Sequence, residues 1–420
     1  MANDFTDAAL TRRRILAGIG ATALFPSLAA LAQQSASPPS DSQNQNSATE
    51  PPTDPLAHND PLTKENPDSW TPPKTDAGDV NVFKYSFAEG HNRVSDGGWA
   101  RQVTVRDLPI ATSLAGVNMR LKSGAIRELH WHVPAEWAFM LYGTARITGV
   151  DTEGRGFVSD IGKGDLWYFP GGVPHSIQGL GPDGCEFLLV FDDGRFSEFD
   201  TFLITDWFDH TPKEVLAKDL NQPESVFDHV PKKELYIFNA PLPDSLESDL
   251  KRAIGPKGKV QNPFDFHMTA QPPDIKRKGG EIRIVDSTKF KASITVAAAL
   301  VTLRPGALRE LHWHPNADEW QYYITGKARM TVFTGGGKAR TMDFQEGDVG
   351  YIQQSLPHYI ENTGDTDLEF LEIFKSDRYE DISLGQWISH LPTELVEAHL
   401  HLGREVIDSV PKEKAGVLPL

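Results

Sequence analysis

The chain has 420 residues, 39% of them hydrophobic and 10% aromatic, which is enough for two domains with cores of their own. A formal charge of −17, from 41 Lys and Arg against 58 Asp and Glu, speaks against nucleic acid as a partner, because phosphate binding needs concentrated cations. A lone cysteine, Cys185, excludes an intrachain disulfide, so stability must come from packing and from metal.

The N-terminus reads as an address. In "TRRRILAGIGATALFPSLAALAQQ" three arginines precede an apolar stretch that begins at Ile15 and ends in the small-residue pattern Ala30-Leu31-Ala32. The stretch is interrupted by Gly18, Gly20, Pro26 and Ser27, and falls short of the roughly 20 residues a bilayer core demands. Residues 1–32 are therefore expected to be a signal peptide, and no membrane association is expected of the mature form. Thr11, Arg12 and Arg13 followed by Ile15 and Leu16 resemble the twin-arginine signal, which carries folded proteins out of the cytoplasm. The expected location is periplasmic or secreted, with a mature charge near −18 after loss of three Arg and two Asp.

Residues 33–79 are rich in Pro, Ser, Asn, Gln and Asp and contain one aromatic, Trp70, so they are expected to form a linker or arm. An internal repeat then runs through the remainder, predicting one domain over 80–235 and a second over 236–420. "GAIRELHWH" from Gly124 recurs as "GALRELHWH" from Gly306, "GTARITGV" as "GKARMTVF", "GDLWYFPGGVPH" as "GDVGYIQQSLPH", and "EFLLVFDD" as "EFLEIFKS". Short runs such as Val117–Leu121 and Ala145–Ile147 alternate apolar and polar residues, broken by Gly and Pro every ten residues or so, which predicts an all-β barrel or sandwich for each copy. Only the tails after Pro212 and Pro392 have helical spacing, as in Val215, Leu216 and Leu220. Such tails pack on neighbours as a rule. A homo-oligomer is expected, with a hexamer the form put forward, although the tails do not fix the order.

In the first copy His130 and His132 alternate along a strand and so point to one side; Glu136 follows four residues later, and His175 arrives from a separate strand. The second copy supplies His312, His314, Glu319 and His358. A single HxH pair on a strand is more often a solvated or hydrogen-bonded pair than a ligand pair. Its repetition with a Glu and a distant His at nearly constant spacing points to two metal centres.

These residues resemble the cupin motifs. Gly124, His130, His132, Glu136 and Gly143 fit the first motif, as do Gly306, His312, His314, Glu319 and Gly326. The second motif fits Gly164, Pro170, Gly172 and His175, with Gly179 in place of Asn, and again Gly347, His358 and Asn362, with Gln353 and Ser355 in place of Pro and Gly. More narrowly, "RELHWH" in both copies, "FDDGRFSE" and "DEWQYYITGKARMTVF" look like the oxalate decarboxylases, bicupin manganese enzymes. The resemblance implies two tandem cupin barrels, of the double-stranded β-helix or jelly-roll type, with helical C-terminal extensions. It also implies two Mn per chain, with dioxygen as co-catalyst, and decarboxylation of oxalate to formate and carbon dioxide. Three imidazoles and one carboxylate would accept Zn, Fe or Mn alike, so manganese rests on the resemblance alone.

The resemblance also distributes roles. Arg127 holds the remote carboxylate of oxalate, as a planar cation suits a bidentate partner, and Arg309 repeats the arrangement. Glu198, in a lid over Phe196–Thr201, takes and returns the proton; the family lid reads Ser-Glu-Asn-Ser, whereas Phe199 and Asp200 follow Glu198 here. Glu372 interrupts the apolar run "EFLEIF" where the first copy has Leu189, so it is expected to be either a second acid/base or a hydrogen-bonded partner of the second centre. Two alternatives remain: an oxalate oxidase releasing hydrogen peroxide, which the retained Glu198 argues against, and a non-enzymatic bicupin of the storage-globulin type, which eight intact ligands argue against.

Overall fold

In both copies the alternating runs become antiparallel strands, and the second copy divides them between two sheets. Gly280–Val285, Ala297–Leu303, Leu368–Phe374, Glu319–Thr325 and Asp348–Ile352 lie in one sheet, and Leu308–Trp313, His358–Asn362, Lys327–Thr334 and Lys338–Gln345 in the other. In the first copy the single strand Glu136–Val150 runs through both sheets and joins them. The computed structural model describes residues 59–420. The expected signal peptide and the first part of the arm lie outside the described residues. The molecule is all-β, with two jelly-roll barrels in tandem and helices after each, as the sequence predicts.

Each barrel is filled by the inward-facing members of its strands. Val117, Met119, Met140, Trp167 and Phe187 are fully buried in the first, and Val301, Tyr323, Met330 and Phe370 in the second. The core of the first barrel continues into the second: Gly116 packs so closely on Trp320 that an added Cβ would lie 2.4 Å from the indole ring, which only glycine avoids. Ser355, which replaces a motif glycine, adopts the left-handed backbone (φ 67°) that Gly172 adopts in the first copy.

The domain limits are crossed by exchanged strands. Lys84–Ser86, ahead of the first barrel, pairs with Asp348–Ile352 of the second, and Asp265–Phe266, ahead of the second barrel, pairs with Leu166–Phe169 of the first. The arm differs from its expectation as well. Residues 59–79 include helices Asp60–Glu65 and Pro67–Trp70, anchored on the second barrel where Asp68 and Asp343 exchange backbone N–H···carboxylate bonds and Ala77 bridges Ala339. Polar composition hid this because the arm is held by backbone and carboxylate bonds more than by apolar burial.

The tails are helical over Lys213–Leu220 and Thr393–Leu400. Each buries one apolar residue, Leu216 or Val396, and leaves others exposed. Among the described residues no helix is long and apolar enough to cross a membrane.

Candidate active site

The strand Ile126–Trp131 carries the first arginine and the first histidine of its centre. Strict alternation would put residues 127 and 130 on opposite faces, since they are three apart. The pairing of this strand with His175–Gly179 slips between Arg127 and His130, so Arg127, Glu128 and His130 are all buried while Leu129 faces out. The same irregularity recurs between Arg309 and His312. The bulge is what brings the arginine to the ligand side.

His130, His132, Glu136 and His175 bring one ligand atom each within 4.8 Å of one another, as do His312, His314, Glu319 and His358, and all eight side chains are buried. Every one of the six imidazoles places Nδ1 2.5–3.0 Å from a backbone carbonyl, for example His130 on Glu128 and His175 on Val173. A carbonyl can only accept, so Nδ1 carries the hydrogen and Nε2 is left bare. Nε2 of His175, His312, His314 and His358, together with Oε2 of Glu319, have no hydrogen-bond partner although buried. The Glu319 oxygen lies 2.9 Å from His358 and 3.2 Å from His314 without hydrogen-bond geometry. Bare donors converging on one point in a dry cavity are costly unless a cation joins them, so both quartets fit a divalent metal ion.

The protonation states agree. Burial, then the nearby His175 and Arg127, hold His130 well below its usual range, and burial with Arg309 does the same for His312.

The carboxylate ligands are oriented by different means in the two copies. Trp167 donates its indole N–H to Oε1 of Glu136 at 2.8 Å. In the second copy Gly350 stands in the position of Trp167, and Gln321 fills the space, donating to Oε1 of Glu319 at 2.7 Å while Tyr323 holds the Gln321 carbonyl at 2.8 Å. The cross-strand pair Ala138 and Trp167 has become Gln321 and Gly350. One donor is lost and another takes its place.

The two arginines differ sharply. Arg309 is fully buried and its fork is occupied: Nε donates to Glu372 at 3.1 Å, and Nη2 to Asp381 and to the Tyr379 hydroxyl, both at 2.8 Å. Lys414 also pairs with Asp381. Glu372 accepts from Arg309 and, at 3.2 Å, from the Tyr379 hydroxyl. Arg127 donates to the Tyr236 carbonyl at 3.3 Å and lies over the Tyr236 ring at 4.7 Å; among the described residues it has no carboxylate partner.

Glu198 begins a short 3-10 turn, Glu198–Asp200, capped by Ser197, and is 9% exposed. Tyr236 donates its hydroxyl to Oε2 of Glu198. Burial, then the Glu198 charge, push the Tyr236 phenol far up, so it remains a donor. Phe196, just before the lid turn, stacks on Phe191 and meets His132 edge-on at 6.0 Å, so the lid adjoins the first centre. Tyr236, Tyr379 and Asp381 were not found from the sequence: each arrives from a connection far from the repeated motif. Trp131 packs on Phe202 and Trp207 outside the ligand cluster, and Trp313 on Trp387.

Comparison with known proteins places these features in context. A family model described as Cupin matches residues 85–225 and 266–408. The chain is 57% identical to the oxalate decarboxylase OxdC of Bacillus subtilis over 355 residues, 84% of this chain and 91% of that one. It is 41% identical to a probable oxalate decarboxylase of Arthroderma benhamiae over 85% of this chain and 88% of that one. A solved structure of the Bacillus subtilis oxalate decarboxylase, whose Mn(II) centres were studied by EPR, superposes with a TM-score of 0.86 at 54% identity, covering 89% of this chain and 98% of that one.

Proposed function

The chain belongs to the cupin family and, within it, to the bicupin oxalate decarboxylases, and from this premise we propose that it converts oxalate to formate and carbon dioxide at the first-copy centre. The observation that carries the choice of centre is the contrast between the arginines. Among the described residues no carboxylate lies on the fork of Arg127, which is left to bind a substrate carboxylate, whereas Glu372 and Asp381 occupy the fork of Arg309.

His130, His132, Glu136 and His175 would hold one manganese ion and His312, His314, Glu319 and His358 a second. When bound, the first metal, with dioxygen as co-catalyst, would take up one electron and later return it, so that carbon dioxide can leave without the very poor carbanion that heterolysis of the C–C bond would demand. Arg127 binds the remote carboxylate and fixes the orientation of the C–C bond. Glu198 accepts the proton of the oxalate monoanion; as the C–C bond breaks and one carboxyl leaves as carbon dioxide, it returns that proton to the carbon of formate. Tyr236 holds the Glu198 carboxylate through its hydroxyl. The buried aromatics Phe191 and Phe196 limit water beside the first centre. Arg309 and Glu372 maintain the second centre.

The precursor is exported, by the twin-arginine route, with its metal loaded before export; the three arginines ahead of the apolar stretch support this reading. Exposed Val215, Leu220, Leu395 and Leu400 on the helical tails support a homo-oligomer, with a hexamer the order put forward.

Metal analysis with product detection on two variants tests the assignment of the centres. His130→Ala is expected to leave one Mn per chain and no formate; His312→Ala also to leave one Mn per chain, with formate production retained. Loss of formate from His312→Ala alone would move the chemistry to the second copy.

A further inference from the structure

Phe199 places a large ring at the tip of the lid with 70% of its surface exposed. The guanidinium of Arg93 lies over that ring, 4.9 Å from its centre, and also over the buried ring of Tyr236 at 3.6 Å. Arg93 belongs to the strand Arg93–Ser95 and is tied by its Nη2 to Glu234 at 2.6 Å, two residues before Tyr236. Tyr236 is fixed from the other side, because its backbone N–H donates to Glu128 at 2.9 Å and its carbonyl accepts from the Glu128 N–H at 2.9 Å. One cation thus touches both the lid tip and the phenol that grips the neighbouring Glu198. A guanidinium suits this place because it is planar, always charged and able to stack. Paired with Glu234, it does not compete with Arg127 for an anionic substrate.

We propose that Arg93 is the positioning residue of the lid: by stacking on Phe199 and Tyr236 it keeps the turn Glu198–Asp200 seated, with the Glu198 carboxylate on the Tyr236 hydroxyl. It touches neither substrate nor metal. Phe199, where the family lid has Asn, then supplies a π face that an amide lacks, which compensates for the altered lid sequence. The proposal rests on the reading of Glu198 as proton donor. When the lid is unseated, the carbon is not protonated and oxalate is lost to the competing oxidation, in which the monoanion, dioxygen and one proton give two carbon dioxide and one hydrogen peroxide.

The test uses the full, manganese-loaded protein and measures formate and peroxide per oxalate consumed, with kcat, KM and metal content. Phe199→Asn, at an exposed position where folding is not at stake, should lower the formate-to-peroxide ratio about two- to five-fold, the range of a partly exposed cation–π contact. Arg93→Met should lower it at least as far, with KM and metal content unchanged, and Arg93→Lys should restore part of the loss. Phe199→Asn added to Arg93→Met should change nothing further, since the partner is already gone. An unaltered ratio in Arg93→Met, or an equal effect of Phe199→Asn in both backgrounds, would overturn the proposal. Glu198→Gln, assayed in parallel, separates the two levels. If it leaves formate unchanged, the proton-donor reading falls and the proposal with it; if it removes formate while Arg93→Met keeps the ratio, only the proposal falls.

Discussion

Among the described residues the Glu198 carboxylate accepts from the Tyr236 hydroxyl alone, whereas Glu372 accepts from both the Arg309 guanidinium and the Tyr379 hydroxyl. Glu198→Gln keeps the shape and cannot shuttle a proton, so formate production should fall by roughly 10² to 10⁴, with residual oxalate consumption shifting to peroxide. Formate by NMR and peroxide by a coupled peroxidase assay measure both; an unchanged formate rate would remove Glu198 from the mechanism. Trp167 offers a second check at this scale. Trp167→Phe deletes the N–H that orients Glu136, so manganese affinity at the first centre should drop about 10- to 100-fold while the second centre, oriented by Gln321, is unaffected. Chelator competition would show it, and equal loss at both centres would refute it. The eight ligands were legible because the same spacing occurs twice. Tyr236, Arg93 and Asp381 were not, because Tyr236 and Asp381 come from connections with no periodicity and Arg93 from a three-residue strand outside the repeated motif, and side chains brought together by a fold leave no mark on local sequence.

Strands and turns were legible wherever apolar and polar residues alternate, as in Val117–Leu121, and the helical tails wherever Pro opens an amphipathic run. The bulge beside His130 was not, since one slipped residue looks like an ordinary strand until its partner is known. The arm was misjudged for a related reason: its partners lie more than 250 residues away. Its anchor is pH-dependent. Asp68 faces Asp343, which Arg329 holds at 2.9 Å, with Lys84 and Asp348 paired nearby, and burial followed by the second carboxyl pushes Asp68 up from 3.8 to about 7. An undocked Asp68 loses its proton near 3.8 and a docked one keeps it until about 7, so the docked arm binds more protons across that interval. Docking is therefore strongest below about 4 and weakens as the pH rises through about 7. Amide exchange over residues 60–77, corrected for intrinsic rates, should show greater protection at pH 5 than at pH 8, and Asp68→Asn should abolish the difference. Equal protection at both pH values in the unaltered protein would contradict the linkage.

At the scale of the whole molecule, one domain has been used twice and then made unequal. The copies share ligands, tautomers and the arginine bulge, and they are bound together by exchanged strands and by a core that runs from Gly116 to Trp320. They diverge at the arginines: the second copy fills the fork of Arg309 with its own carboxylates, and among the described residues the first sets no carboxylate on Arg127, beside the turn that carries Glu198. The repeat made the symmetry readable from the sequence, but it concealed the asymmetry, which depends on Asp381 and Tyr236 reaching the arginines in three dimensions. The central claim is that the open arginine and the lid acid together divert oxalate into formate. Product analysis by ¹³C NMR of doubly labelled oxalate turned over by the manganese-loaded protein tests it most directly. One labelled formate and one labelled carbon dioxide per oxalate, without stoichiometric peroxide, is the predicted result; two carbon dioxide with one peroxide per oxalate, or no consumption of oxalate, would contradict it.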